Sequence, residues 1–129
     1  MAAGQIPDDV VRFIVENLDT VPHLEALLLI WSSAPAAWAV AQIAARVYVT
    51  EDVATKLLED LVKRGLLVRM GSDPPAFSFN AAYDADKNIM QKVAGCYRTH
   101  LVRVANLIHM QGSGAVRDFA RAFKLKDKD

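Results

Sequence analysis

The side chains best able to bind a metal ion are few in this sequence, and they are widely spaced. Cys96 and His100 are four residues apart, so on a helix they would share one face and could reach one ion. His109 lies too far along the chain to join them, and no second group of histidines and cysteines supplies the missing ligands. The spacing therefore predicts a buried thiol and a polar histidine on a helix face, and no metal site.

Residue patterns that support catalysis are also lacking. His23 lies at the start of a predicted helix without a paired nucleophile, and no G-x-S-x-G, Walker or glycine-rich dinucleotide signature is present. The adjacent carboxylates Asp8–Asp9, Glu51–Asp52 and Glu59–Asp60 have the positions of helix-start charges and solvated faces. The sequence predicts a protein that is not an enzyme and that needs no cofactor.

The composition is that of one folded domain. The chain has 129 residues, of which 53% are hydrophobic and 23% are charged. The single cysteine excludes an intramolecular disulfide, and "MAAGQIPDDVV" lacks the basic segment and apolar core of a signal peptide, so we expect a cytoplasmic protein. Residues 26–45 carry no charge and are nominally long enough to span a bilayer. Pro35 at their centre, behind Ser32 and Ser33, favours two short helices, so we expect no membrane partner.

Hydrophobic spacing and capping residues predict a mainly helical chain with one small β-hairpin. The predicted helices begin at Pro7, after Thr20 ("VPHLEALLLIWSS"), at about Ala37 and after Thr50, and Gly65 ends the fourth. "LLVRM" and "FSFNA" are predicted strands, joined by "GSDPPA". A long helix is predicted from Asp84 to about Met110. We expect the chain to have two parts. Residues 1–83 hold the four predicted helices and the hairpin, and residues 84–129 hold the long helix and an amphipathic tail that packs on it or on a partner subunit.

The order of elements from Val21 to Ala81 resembles the winged helix-turn-helix domain of MarR-like bacterial regulators. "LEALLLIW" matches the first core helix, "WAVAQIAARVYVT" the helix and turn, and "EDVATKLLEDLVKRGLLVRM" the recognition helix and first wing strand. The most specific element is the set Leu57, Leu58, Leu61 and Val62 followed by "KRGLL". The resemblance covers about half of the chain. It implies a winged-helix fold in a small transcription regulator.

In that family the outward side of the recognition helix and the wing contact DNA. The residues that would do so here are Thr55, Lys56, Lys63, Arg64 and Arg69. The predicted outward face of this helix has seven residues: Glu51, Asp52, Thr55, Lys56, Glu59, Asp60 and Lys63. Four of these seven are carboxylates, so the face is largely acidic. DNA affinity depends on replacing phosphate counterions with Lys and Arg, so we expect weak or indirect contact. The alternative is a winged helix that serves protein–protein contact or self-association and does not bind DNA.

Apolar residues along the predicted helix from 84 to 110 recur at spacings of three and four, which is typical of a partner-facing stripe. They predict a homodimer interface formed by Ile89, Val93, Tyr97, Leu101, Val104, Leu107 and Ile108. Residues 1–83 carry 6 basic and 10 acidic side chains, a net charge of −4, and residues 84–129 carry 9 and 5, a net charge of +4. This division favours contact between the acidic part of one chain and the basic part of another. Binding to a protein partner is therefore also possible.

Two further groups have plain interpretations. Trp31 and Trp38 have no Arg or Lys within three residues, which favours packing in the core over base stacking. The basic side chains of the tail are interspersed with aspartates, which favours a solubilising end; they are Arg117, Arg121, Lys124, Lys126 and Lys128.

Overall fold

The computed structural model describes residues 6–71, 73–84 and 88–112, so the tail expected after the last helix lies outside the described residues. The elements are α1 (Asp8–Asn17), α2 (Val21–Ser32), β1 (Trp38–Ala39), α3 (Val40–Val47), α4 (Glu51–Lys63), β2 (Leu67–Met70), β3 (Ala76–Phe79), a short 3-10 helix (Ala81–Asp84), α5 (Ile89–Thr99) and α6 (Leu101–Gly112). The prediction of a mainly helical chain with a small hairpin is confirmed. Within these ranges, no helix is both long enough and apolar enough to cross a bilayer.

The predicted starts of α2 and α4 and the predicted glycine stop after α4 are observed. Thr20 Oγ1 accepts the N–H of His23 (3.3 Å) and caps α2, and Thr50 Oγ1 accepts the N–H of Val53 (3.2 Å) and caps α4. Gly65 follows α4 with φ +81°, a left-handed conformation that glycine adopts without a steric cost. The chain then turns directly into β2.

The sheet has three antiparallel strands in the order β1–β3–β2, and β1 was not predicted. Trp38 pairs with Phe77 and Ala39 with Ala76, so the expectation of a helix starting near Ala37 is wrong for these two residues. Gln42 Oε1 accepts the N–H of Ala39 (2.9 Å), which sets the start of α3 at Val40. The wing proper is the β2–β3 hairpin.

The expectation of one long C-terminal helix is also wrong, because the chain breaks at His100 (φ −130°, ψ 47°) between α5 and α6. Thr99 Oγ1 lies 2.8 Å from His100 Nδ1 at the break. The bend lets both helices pack against α1 and α2. Val93 of α5 and Val104 of α6 are both buried in one core.

The core is centred on α2, as its almost uniformly apolar sequence indicates. This helix contacts α3, α4, α5, α6 and β3. Leu24, Leu27 and Ile30 of α2 are fully buried. They share the core with Leu58 of α4 and Phe77 of β3, so the position of α4 is fixed by side chains on its inner face.

Candidate nucleic-acid interface

The candidate interface is built on α3, the turn after it, and α4. The turn passes through Tyr48 in a left-handed conformation (φ 61°), with its side chain 92% exposed. Ile43 and Val47 of α3 and Leu57 of α4 are buried in the core that these helices share. This packing leaves the opposite side of α4 facing solvent.

The outward face of α4 is acidic at its start and mixed further on. Glu51 and Asp52 are exposed in the first turn, where carboxylates interact favourably with the positive end of the helix dipole. Lys56 and Lys63 are exposed further along the helix. Thr55 is half-buried, and its hydroxyl donates to the carbonyl oxygen of Glu51 (2.9 Å).

Asp60 does not belong to the outward face, which corrects the sequence interpretation. Its side chain is only 23% exposed, and its Oδ2 lies 3.0 Å from Nε2 of His23, a residue 37 positions earlier. Asp60 lies beside Leu57 and Leu61 on the helix surface, so it borders the buried stripe. Removing it leaves three carboxylates on the outward face, Glu51, Asp52 and Glu59, rather than four.

Arg64 is directed toward α1 and the junction between α1 and α2. Its guanidinium donates to the carbonyl oxygen of Glu16 and lies 3.6 Å from Asp19. Because it connects the end of α4 to that junction, the structure gives Arg64 a bracing role. The contact of Arg64 with DNA stays a prediction, and Glu16 and Asp19 compete for the same guanidinium.

Arg69 on β2 reaches back to α4, where its guanidinium lies 3.7 Å from a carboxylate oxygen of Glu59. Both side chains are 46% exposed, so this surface pair is weak and can exchange its partner. The two residues, with Val62, Lys63 and Phe77, line a groove of about 300 Å³ between α4 and the wing. The groove is therefore lined by two cations, Lys63 and Arg69, and by one carboxylate, Glu59.

The two tryptophans pack against the core, as predicted, and both are half-buried. Trp38 Nε1 donates to Ser33 Oγ (2.8 Å). The guanidinium of Arg46 lies over the Trp38 ring at 5.4 Å from its centroid. This contact was missed because Arg46 is eight residues away in the sequence and becomes a neighbour only when β1 and α3 meet.

The expected dimer stripe is divided by the fold. Ile89, Val93, Val104 and Ile108 lie inside the chain's own core with 8% exposure or less, so they do not face a partner as expected. Their spacing reports the packing of α5 and α6 on α1 and α2. Tyr97 and Leu107 are half-buried, and Leu101 is 51% exposed.

Burial raises the pKa values of two neighbouring side chains on α5, Tyr97 and Cys96. Burial, the charge of Glu25 and a hydrogen bond donated to Glu25 (3.1 Å) raise the pKa of Tyr97 to about 12. Burial and then the charge of Asp9 raise the pKa of the Cys96 thiol. Cys96 is therefore protonated at neutral pH, which disfavours a reactive thiolate.

No protein-family model matches this chain, and a search of curated proteins gives no match. Solved structures do match. A transcriptional regulator from Thermotoga maritima is 13% identical, with 92% of this chain and 83% of that chain covered and a TM-score of 0.53. The YusO protein of Bacillus subtilis is 16% identical (88% and 82% covered, TM-score 0.53), and the adhesin competence repressor of Streptococcus pyogenes is 16% identical (95% and 95% covered, TM-score 0.51). The prediction of a winged-helix fold is confirmed.

Proposed function

We propose that this protein is a small transcription regulator whose α4 and wing contact duplex DNA weakly, through phosphates more than through bases. The observation that carries the proposal is the groove between α4 and the wing, which is lined by the cations Lys63 and Arg69 and by one carboxylate, Glu59. It is supported by the fold, since the transcriptional regulator from Thermotoga maritima shares it. The proposed role is binding, without chemical turnover.

Phosphate contact is assigned to the cations of the outward surface. Lys56 and Lys63 are exposed on α4, and Arg69 is held only by a weak pair with Glu59 that a phosphate can replace. Thr55 donates its hydroxyl proton to the Glu51 carbonyl, so as a contact its oxygen can accept a hydrogen bond from a base amino group rather than donate one to a phosphate. Arg64 braces the end of α4 against α1 and so supports the surface from behind.

Base reading is disfavoured by the first turn of α4. In helix-turn-helix docking the leading residues of the recognition helix reach the base edges, and here these residues are Glu51 and Asp52. A carboxylate can accept a hydrogen bond from cytosine N4 or adenine N6, but it is repelled by the acceptors N7 and O6 of guanine, N7 of adenine and O4 of thymine. We therefore infer binding with little sequence discrimination.

A salt titration tests this proposal directly. Neutralising three phosphates per protomer with Lys56, Lys63 and Arg69 predicts a slope of about −3 in a plot of log affinity against log salt concentration. Lys63→Ala and Arg69→Ala should each reduce the slope by about one. Arg98→Ala, which removes an exposed cation on α5, is the matched control and should leave the slope unchanged. If generic duplex DNA does not bind even at low salt, the proposal fails, and the protein–protein role becomes the better explanation.

We also infer a homodimer that forms through the accessible part of the C-terminal helices. Leu101 and Val102 at the start of α6 are 51% and 68% exposed, which is unusual for two adjacent large aliphatic side chains. Leu101→Asp should convert the dimer to a monomer in light scattering, whereas Arg103→Asp beside it should not. A wild-type protein that is monomeric at high concentration would contradict this inference.

A further inference from the structure

Three side chains with metal-binding atoms converge behind α4, on the side away from the candidate interface. Asp19 comes from the junction between α1 and α2, His23 from the first turn of α2, and Asp60 from the second half of α4. One ligand atom from each lies within 4.8 Å of the others. Ligands of four-coordinate zinc lie about 2.0–2.1 Å from the ion, which places neighbouring ligand atoms about 3.3 Å apart. The 3.0 Å separation of His23 Nε2 and Asp60 Oδ2 is already close to that spacing.

The ring of His23 is held in the orientation that coordination through Nε2 requires. Its Nδ1 lies 2.6 Å from Thr20 Oγ1, and the same oxygen accepts the backbone N–H of His23. When Nε2 binds an ion, the neutral ring carries its one proton on Nδ1 and donates it to Thr20 Oγ1. A metal-binding histidine commonly has a fixed partner of this kind on its second nitrogen.

The burial of the three ligands suits an ion that is enclosed on one side and open on the other. His23 is 7% exposed, whereas the side chains of Asp60 and Asp19 are 23% and 35% exposed. Solvent can therefore reach the outer side and supply a fourth ligand. Arg64 lies 3.6 Å from Asp19, but both side chains are more than a third exposed, so a dication can displace this weak pair.

We propose that Asp19, His23 and Asp60 bind one divalent transition-metal ion, for which Zn²⁺ is the best fit. One imidazole and two carboxylates suit zinc, whereas Ca²⁺ and Mg²⁺ prefer oxygen ligands throughout. The ion joins α4 to the α1–α2 junction and so fixes the rear of the helix that carries the candidate interface. The site does not depend on whether the protein binds DNA.

The test uses the full chain without a purification tag, freed of metal with a chelator and then dialysed. Zinc chloride is titrated by calorimetry, and Co²⁺ is added as a probe whose visible absorption reports tetrahedral coordination. We expect one Zn²⁺ per chain. His23→Gln and Asp60→Asn should each weaken the affinity at least tenfold, and Asp19→Asn should weaken it less because that side chain lies at the open rim.

Matched controls separate this site from other donors. His109→Gln removes an exposed histidine on α6, Asp52→Asn removes an exposed carboxylate on α4, and Cys96→Ser removes the only thiol. All three should bind zinc like the wild type. Loss of binding in Cys96→Ser, or wild-type affinity in both His23→Gln and Asp60→Asn, would overturn the proposal.

If His23→Gln does not fold, the melting temperature with and without zinc tests the site independently of that variant. An ion that binds only the folded state raises the melting temperature of the wild-type protein, and the rise should be absent in Asp60→Asn. A wild-type melting temperature that does not change with a large excess of zinc would refute the site.

Discussion

His23 Nε2 lies 3.0 Å from Asp60 Oδ2, and this contact joins the first turn of α2 to α4 across 37 residues of sequence. Thr20 Oγ1 lies 2.6 Å from Nδ1 of the same ring and a carboxylate oxygen of Asp19 is within 4.8 Å, while Leu24, Leu57 and Leu61 are buried in the core. A buried polar group without a partner is costly, so the two side chains depend on each other. The pair therefore sets the position of α4 relative to α2 more specifically than the apolar contacts can.

The first prediction follows from that dependence. Asp60→Ala leaves Nε2 of a histidine that is 7% exposed without a partner, and should lower the free energy of unfolding by about 1–3 kcal/mol. Urea unfolding with a chelator present measures this loss without any contribution from metal. Glu59→Ala, the neighbouring carboxylate in an exposed pair with Arg69, is the control and should cost at most about 1 kcal/mol. Equal losses of unfolding free energy in the two variants would show that the buried contact contributes no more to stability than the exposed pair does.

The second prediction compares two glycines with opposite backbone requirements. Gly65 has φ +81°, so Gly65→Ala should destabilise the protein by about 1–2 kcal/mol although no atom lies within 4 Å of the added methyl group. Gly95 lies inside α5, also with open space around it, so Gly95→Ala should stabilise the protein by about 0.5–1 kcal/mol. Thermal unfolding of the two variants beside the wild type decides the matter. A stabilising alanine at position 65 would mean that the left-handed turn after α4 is not formed.

The third prediction concerns two threonines of the same helix. Thr50 caps α4 from outside, so Thr50→Ala should cost about 1 kcal/mol. Thr55 lies within the helix and its hydroxyl donates back to the Glu51 carbonyl, so Thr55→Ala should be neutral or slightly stabilising, because alanine has the higher helix propensity. Urea unfolding of both variants measures the difference. A Thr50→Ala variant as stable as Thr55→Ala would contradict the cap.

The ends of α4 can be predicted from the sequence, whereas the break between α5 and α6 cannot. Thr50 and Gly65 act on residues within a few positions of themselves, so a cap before an apolar run and a glycine after it predict both ends of α4. The break at His100 has no such signal, because neither glycine nor proline stands between Gly95 and Gly112. On either side of the break, α5 and α6 both pack against α1 and α2, and these contacts are between segments distant in the sequence.

Contacts between distant parts of the chain could not be predicted from the sequence either. Strand β1 has two residues and exists only because β3, more than thirty residues later, pairs with it. Asp60 has the helical position of a border residue, and only the arrival of His23 decides that it turns inward. Arg64 and Arg69 both follow α4 closely, yet one reaches Asp19 and the other Glu59. The fold was therefore predicted better than the charge of its candidate interface.

The fourth prediction concerns the ionisation of Tyr97. Burial, the Glu25 charge and the hydrogen bond to Glu25 raise its pKa from the ordinary value of 10.0 to about 12. The folded state thus favours the neutral phenol, so the stability that this group contributes is fully present below pH 10 and is lost as the pH rises toward 12. Tyrosinate absorbance should show a late-titrating tyrosine that is missing in Tyr97→Phe, while Glu25→Gln should lower its pKa but keep it above 10.0 because burial remains. If the late titration survives in Tyr97→Phe, it belongs to another tyrosine, and the contact between Tyr97 and Glu25 does not control the phenol.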